Sequence, residues 1–246
     1  MDHLTVERSD ARDWAGGQLT ELFSDGFPEF ITADRVAKEY LGRVQEWFAA
    51  FDLFLVDSSG VPVAGGWGVP LRWDGNPDTL PTGYTDALIR AVRGREEGVE
   101  PDTLVICGAI VTPALKGQGL AGRALGALRV LALESGLQRV VAPVRPTLKA
   151  RYPLTPIDTF AGWTREDGLS LDPWVRTHQR LGARAVACAP ESQTMTGSVA
   201  AWEKWTGMAL PASGDYVVPQ GLSPLRVDRS VDEGRYVEPG IWMRHV

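Results

Sequence analysis

The clearest pattern of hydrophobic and polar positions lies between Leu104 and Gly136. Residues Leu104 to Val111 form an apolar run of β-branched and small side chains, which predicts a buried strand. After a glycine-containing turn, apolar residues recur at helical spacing from Leu120 onward. Gly136 follows at the position expected for the C-terminal cap of a helix. The pattern therefore predicts a strand, a glycine turn and a helix in succession.

Alternating and helical patterns on both sides of this segment predict further strands and helices. Thr32, Thr85 and Asp172 are the expected N-caps of three of the helices. Pro239 and Gly240 interrupt the last predicted strand, which favours an edge position for it. The elements are a strand at Leu4 to Glu7, two helical pieces within residues 12 to 50, a hairpin from Phe51 to Leu71, a helix at Asp86 to Arg93, a strand at Arg139 to Val144, a helix from Pro173 that ends at Gly182, strands at Arg184 to Ala189 and Arg235 to Val246, and a helix at Ser198 to Thr206.

Composition and charge describe an ordinary globular chain of 246 residues, with 44% hydrophobic and 23% charged residues. The net charge of −6 argues against a nucleic-acid partner and against binding to anionic membranes. Cys107 and Cys188 lack metal-ligand spacing, so we expect no metal and a reducing, cytoplasmic location. No signal peptide or membrane-spanning run is predicted.

The glycine turn before the central helix has the features of an anion site. A helix entered through glycines presents unpaired backbone N–H groups and the positive end of its dipole, which suits a phosphate. Lys116 and Arg123 flank that end. Cations at this end oppose the helix dipole, so their placement is best explained by an anion bound between them.

Two nucleotide motifs compete for this turn. The P-loop string GxxxxGK followed by Ser or Thr does not occur in the chain. The dinucleotide motif GxGxxG is present as Gly117, Gly119 and Gly122, but five residues separate it from the strand. Arg145, and not an acidic residue, follows the next strand. Since an arginine could bind the 2′-phosphate of NADP, an NADP-dependent oxidoreductase stays open as an alternative.

A third motif fits the turn better. The run from Lys116 to Ala121 resembles the Q/R-x-x-G-x-G/A signature of the GNAT superfamily of acyl-CoA N-acyltransferases, with Lys in the first place. The resemblance implies an α/β fold of GNAT type, with a mixed central β-sheet flanked by helices on both faces. It also implies an acyl-CoA co-substrate, most simply acetyl-CoA, and the amine of a small molecule as acceptor. The donor-binding residues that it implies are Ala109, Ile110, Val111, Lys116, Gly117, Gln118, Gly119, Leu120, Ala121, Gly122 and Arg123.

A second resemblance lies in the predicted helix that ends at Gly182. GNAT proteins carry a helix ending in L-Y-x-x-x-G-F, whose Tyr lies near the thioester sulfur and protonates the departing thiolate. His178 stands at the Tyr position and Ala183 at the Phe position. An imidazole of ordinary pKa, about 6.5, can supply that proton, so His178 is the candidate catalytic acid. The predicted central strand holds no acidic residue that could serve as the base, and Asp158 is one alternative.

The long segment Pro146 to Leu171 has weak periodicity, and loops of this length inside a domain are generally functional or disordered. Its aromatic content argues against disorder. We interpret it as a wall of the acceptor pocket. The candidate substrate contacts are Tyr152, Asp158, Phe160 and Trp163.

The sequence thus predicts one acyltransferase domain over residues 1–246, with insertions at 72–103 and 146–171. Direct attack of the amine on the acyl thioester is the expected reaction. Two further alternatives stay open: an enzyme whose acyl donor is carried on an acyl carrier protein, and a catalytically silent acyl-CoA-binding module. The sequence pattern does not identify the acceptor or predict the oligomeric state.

Overall fold

The computed structural model describes residues 4–12, 14 and 27–245, and within them nine strands form one mixed sheet. The sheet order is β1-β2-β3-β4-β5-β9-β8-β7, and β6 pairs with β9. Among these strand pairs, β4 and β5 run parallel and the others are antiparallel. The strands are β1 (Thr5–Arg8), β2 (Asp52–Val56), β3 (Pro62–Leu71), β4 (Thr103–Val111), β5 (Arg139–Val144), β6 (Arg184–Gly197), β7 (Gly214–Tyr216), β8 (Leu225–Asp228) and β9 (Glu233–His245).

Helices pack on both faces of this sheet, as the sequence predicts. One face is covered by α1 and α2, whose apolar sides meet Val69, Leu71 and Val105. The other is covered by α3, with α4 and α5 beside it, against side chains that include Leu104 and Ile106. None of the helices in these ranges is long and apolar enough to cross a membrane. The helices are α1 (Arg35–Phe48), α2 (Tyr84–Glu96), α3 (Leu120–Glu134), α4 (Ile157–Ala161), α5 (Pro173–Arg180) and α6 (Val199–Thr206).

The central strand, turn and helix are confirmed. The helix α3 begins after Gly119, and Gly136 lies just beyond its C-terminal end with φ of +81°. Such a positive φ is readily adopted only by glycine, which explains why the helix stops there. The predicted hairpin is also confirmed, as β2 and β3.

Two predicted helix starts are wrong. Asp34, and not Thr32, caps α1: its carboxylate accepts a hydrogen bond from the Ala37 N–H at 2.9 Å. Gly83 is the N-cap residue of α2, so Thr85 lies inside the helix. In both places several residues of capping type stand close together, and tertiary contacts decide which of them is used. The first predicted helical piece within residues 12 to 50 falls largely outside the described residues.

The last predicted strand, β9, is not an edge strand. It pairs with β6 along one side, and on the other with β8 through Tyr236 and with β5 from Ile241. Pro239 lies between those two stretches and opposite a register shift in β6. The sheet therefore needs no hydrogen bond from the backbone N–H that proline lacks. The strands β7 and β8 are not predicted at all.

Candidate active site

The parallel strands β4 and β5 separate part-way along their length. They pair from Thr103 with Arg139 to Val105 with Val141, and beyond that point their pairing ends. There β4 continues against β3, and β5 continues against β9. The edge of β4 that faces the opening therefore presents backbone groups with no strand partner, which suits an extended amide-containing ligand.

A register shift at the point of separation makes room for a tryptophan. The pairing of β3 with β4 shifts between Trp67 and Gly68. A Cβ atom on Gly108 would lie 2.8 Å from the indole Nε1 of Trp67, so only glycine fits beside this ring. Gly108 also lines the opening.

A cavity of about 1000 Å³ passes through the opening between β4 and β5. This volume lies at the upper end of the usual range for ligand pockets. One end is formed by the glycine turn and the start of α3, and the other by α1 and the start of α2. The cavity brings together His178 and all the predicted donor-binding residues except Gln118 and Arg123, which are exposed near the same turn.

The glycine turn forms an open concave surface at the N-terminus of α3. Gly117 and Gly119 have φ of +81° and +79°, and a Cβ atom at Gly117, Gly119 or Gly122 would have no neighbour within 4 Å. Within the part of the chain that the structure describes, no side chain caps the first turn of α3. The first N–H groups of the helix are thus left without a side-chain partner and face a space that a phosphate could fill. Lys116 lines the same space.

His178 lies in the wall of the cavity as one member of a buried histidine pair. Its Nδ1 is 2.9 Å from Nε2 of His245, and the two side chains are 1% and 2% exposed. Among the described residues, Nε2 of His178 has no hydrogen-bond partner. Burial, together with the neighbouring His245, lowers the pKa of His178 to about 3, and burial lowers the pKa of His245 to about 4.

This electrostatic setting argues against the role first predicted for His178. The lowered pKa favours the neutral imidazole at neutral pH, whereas general-acid catalysis by histidine uses the imidazolium form. A neutral imidazole can still donate one N–H hydrogen bond, which stabilises charge without transferring a proton. His178 therefore lies in the wall of the cavity as a hydrogen-bond donor and not as an imidazolium.

The other end of the cavity holds buried carboxylates. Asp34 and Glu238 line it, at 3% and 2% exposure. The Glu238 carboxylate forms an ion pair with Arg145 and accepts a hydrogen bond from the Tyr236 hydroxyl. Tyr84 also lines this end; burial raises its pKa well above 10, and the neighbouring Cys107 and Asp34 raise it further.

A third carboxylate, that of Asp52 at the start of β2, lies beside the wall of the cavity. It pairs in register with Trp67, and its charge influences the Cys107 thiol; Trp67 and Cys107 both line the cavity. Burial raises the pKa of Asp52 to about 7. Asp34, Asp52 and Glu238 are not predicted as site residues from the sequence. Their capping and strand positions give no sign that Asp34 and Glu238 line the cavity and that Asp52 lies beside its wall.

Comparison with known proteins identifies the superfamily. The chain is 30% identical over 247 aligned residues to an arginine N-acetyltransferase, avaD, from Aspergillus versicolor, and the match covers 89% of this chain and 84% of that protein. The chain belongs to the GNAT superfamily of N-acetyltransferases. It is accordingly an acyltransferase. No model of a protein family matches the chain.

One solved structure supports the GNAT fold. The loading GNATL domain of CurA from Lyngbya majuscula is 16% identical, with a TM-score of 0.62, and the match covers 99% of this chain and 98% of that domain. A GNAT-like decarboxylase, GphF, solved with isobutyryl-CoA, is 18% identical with a TM-score of 0.49, over 93% of each chain. The first similarity shows the fold alone.

The long segment that was expected to wall the acceptor pocket has another place in this GNAT fold. It contains the short helix α4, and none of Tyr152, Asp158, Phe160 and Trp163 is among the residues that line the cavity. Phe160 is 2% exposed in the core against α3, and Trp163 packs against the same core. The aromatic residues of this segment show no helical or strand periodicity, so the sequence does not indicate that they pack in the core.

Three aromatic rings of this segment contact one another in edge-on and tilted arrangements. The ring centroids of Trp163 lie 4.9 Å from Tyr152 and 5.3 Å from Phe160. Asp158 is exposed and lies beside Cys188: burial, followed by this carboxylate, raises the pKa of the Cys188 thiol to about 12. These contacts give the four residues structural partners away from the cavity.

We therefore expect Trp163→Ala to act on stability. The loss of a half-buried ring and its edge contacts should lower the free energy of unfolding by about 1–3 kcal/mol. A thermal melt should show the fall, while the KM values for donor and acceptor stay within about twofold. A raised KM for the acceptor with an unchanged melting temperature would show instead that this segment contributes to the acceptor pocket.

Proposed function

We propose that this GNAT protein transfers an acetyl group from acetyl-CoA to the amine of a small molecule, with arginine as the first acceptor to test. The observation that carries the proposal is the continuity of one cavity. It joins an uncapped helix N-terminus, suited to phosphate, to a carboxylate-lined end suited to a cationic amine. The thioester of a donor that spans the cavity would lie between the two ends.

The donor end has features that fit coenzyme A. The open glycine turn and the first N–H groups of α3 would hold the pyrophosphate, with Lys116 beside it. The unpaired edge of β4 at Ala109 to Val111 would hydrogen-bond with the amides of the pantetheine arm. Gln118 and Arg123 are proposed as exposed contacts near the same phosphates.

The choice of acceptor is supported by the relative that is named as an arginine N-acetyltransferase. It is also supported by the charges at the far end of the cavity, where the Asp34 carboxylate favours a cationic ligand. The mixed sheet disfavours the NADP-dependent alternative, because a dinucleotide-binding fold would have parallel neighbours on both sides of the glycine-turn strand, whereas β3 runs antiparallel to β4.

In the proposed reaction the neutral amine attacks the thioester carbonyl carbon, the C–S bond breaks, and the nitrogen gives up one proton. The thiolate of coenzyme A leaves and takes up a proton from the solvent. His178 would donate its Nε2–H as a hydrogen bond to the developing thiolate. This requires that His245 donate its own Nε2–H to Nδ1 of His178, across the 2.9 Å contact. A preorganised donor in a water-poor site is effective for stabilising such charge.

Asp52 is proposed as the group that receives the amine proton, through water. Its carboxyl lies beside two residues of the cavity wall, and burial raises its pKa to about 7, which suits a base that works near neutral pH. A titratable neighbour of Asp52 is Cys107 on β4, which lies beyond β3 in the sheet. Burial, followed by Asp52, raises the pKa of that thiol, so the thiol stays neutral at working pH.

The role of Asp52 predicts a specific pH profile. A base must be deprotonated, so kcat/KM should rise with pH through about 7 and fall away below it. In Asp52→Asn we expect this limb to disappear and kcat/KM above pH 7.5 to fall by about 10² or more. Asp158→Asn, which alters an exposed carboxylate on α4, is the matched control and should keep the limb. An unchanged limb in Asp52→Asn would remove it from the mechanism.

Binding measurements test the donor directly. Calorimetry with acetyl-CoA, coenzyme A and NADPH should give saturable binding of the first two. Binding of NADPH with no binding of acetyl-CoA would overturn the proposal. Binding of acetyl-CoA without turnover of any amine would instead favour the silent acyl-CoA-binding alternative.

A further inference from the structure

Asp34 places a buried negative charge in the wall of the cavity. Asp34 is 3% exposed, and it lines the end of the cavity that is formed by α1 and the start of α2, where the acceptor is expected. One oxygen accepts a hydrogen bond from the Ala37 N–H at 2.9 Å, and the other accepts one from the Thr85 hydroxyl. Both donors are neutral, so neither of them balances the charge.

No lysine or arginine among the described residues forms an ion pair with Asp34. Lys38 lies one turn farther along α1 and also lines the cavity, but it is exposed and forms no ion pair with Asp34. By contrast, Glu238 in the same cavity is paired with Arg145, and the buried Asp102 with Arg139. The residues outside the described ranges include no lysine or arginine.

A carboxylate that is removed from water without a counter-charge is strongly unfavourable, and proteins generally pair such groups. Asp34 faces a cavity, so a cationic ligand can supply the missing charge. Trp67 and Tyr84 lie nearby in the same wall with their rings edge to face at 6.0 Å, and aromatic faces of this kind attract planar cations.

The attacking nitrogen of the acceptor has to be neutral when it reacts, and it therefore cannot be the group that neutralises Asp34 throughout the reaction. A guanidinium remains charged at every working pH and matches a carboxylate in shape. We propose that Asp34 is the specificity residue for a second, non-reacting guanidinium group on the acceptor. This inference rests on the proposed acetyl transfer to an amine, and it adds the part of the acceptor that is recognised.

Arginine and citrulline form a matched pair of probes, because a neutral urea replaces the guanidinium in citrulline while the α-amine is kept. We expect the wild-type protein to use arginine with kcat/KM about tenfold or more above that for citrulline. In Asp34→Asn the preference should fall to within about twofold, through a raised KM for arginine. Asparagine is as good an N-cap as aspartate, so α1 should keep its start.

Two further measurements keep the test decisive. Thr85→Val removes a hydrogen bond to Asp34 but leaves its charge, so the preference for arginine should persist. Calorimetry can measure the Kd values of arginine and of citrulline for the complex of the protein with coenzyme A, and it therefore reports the same preference without turnover. If no amine is acetylated, the proposed function fails, yet selective arginine binding that is lost in Asp34→Asn still supports the inference. Equal binding of the two probes to the wild-type protein, or a preference that survives in Asp34→Asn, overturns it.

Discussion

Replacing Gly119 by valine is expected to weaken acetyl-CoA binding by at least about tenfold, or 1.4 kcal/mol. Gly119 is the N-cap residue of α3, and a side chain there would enter the open space in which the pyrophosphate is expected. Helix N-termini bind phosphate through direct approach of the backbone N–H groups, and a branched side chain prevents that approach. Calorimetric titration of the folded variant with acetyl-CoA measures the change.

Backbone strain has to be separated from obstruction of the ligand. Gly119 has φ of +79°, where valine is strained in any surroundings. Gly136, at the other end of α3, has φ of +81° and likewise has no atom within 4 Å of an added Cβ. Gly136→Val should therefore lower the melting temperature by a similar amount while leaving the Kd for acetyl-CoA unchanged. Equal losses of affinity in both variants would mean that the turn does not hold the phosphates.

Replacing His178 by phenylalanine is expected to lower kcat by about 10²-fold or more, with little change in the Kd for acetyl-CoA. The substitution removes the one N–H group that this position can aim at the departing sulfur, and the loss of a single preorganised donor typically has an effect of that size. Phenylalanine fills the same buried space, so the change in packing is small. Stopped-flow detection of the free thiol of coenzyme A measures the rate.

A conservative variant distinguishes the hydrogen bond from packing. In His178→Gln an amide N–H can lie close to the position of Nε2, so part of the rate should return. Because the pKa of His178 is lowered to about 3, kcat in the wild-type protein should show no limb between pH 5 and 8 that belongs to this residue. A limb near 6.5 that vanishes in His178→Phe would restore the general-acid role predicted from the sequence.

The segment from β4 to α3 could be predicted because its signals are local. The period of the apolar residues, the turn glycines and the cap at Gly136 lie within one stretch of chain, and a motif at the turn points to a function. The strand β5 and the helix α5 were predictable for the same reason. Each element is determined mostly by neighbours a few residues away.

The acceptor end could not be predicted, because it is assembled by contacts between distant parts of the chain. Asp34 is an ordinary N-cap within its own helix, and its meeting with Thr85 depends on how α1 packs against α2. His178 and His245 are 67 residues apart, and their contact depends on the interior position of β9. The edge-to-face contact of Trp163 with Tyr152 follows from a loop that folds against the core.

Turnover of acetyl-CoA with arginine tests whether the protein acetylates an amine. Release of free coenzyme A and formation of the acetylated acceptor should be followed together, by thiol detection and by mass spectrometry. We predict that the two products form in equal amounts, that both require the acceptor, and that both fall sharply in Gly119→Val. Release of coenzyme A at the same rate without any amine, with no acetylated product formed, would contradict the account.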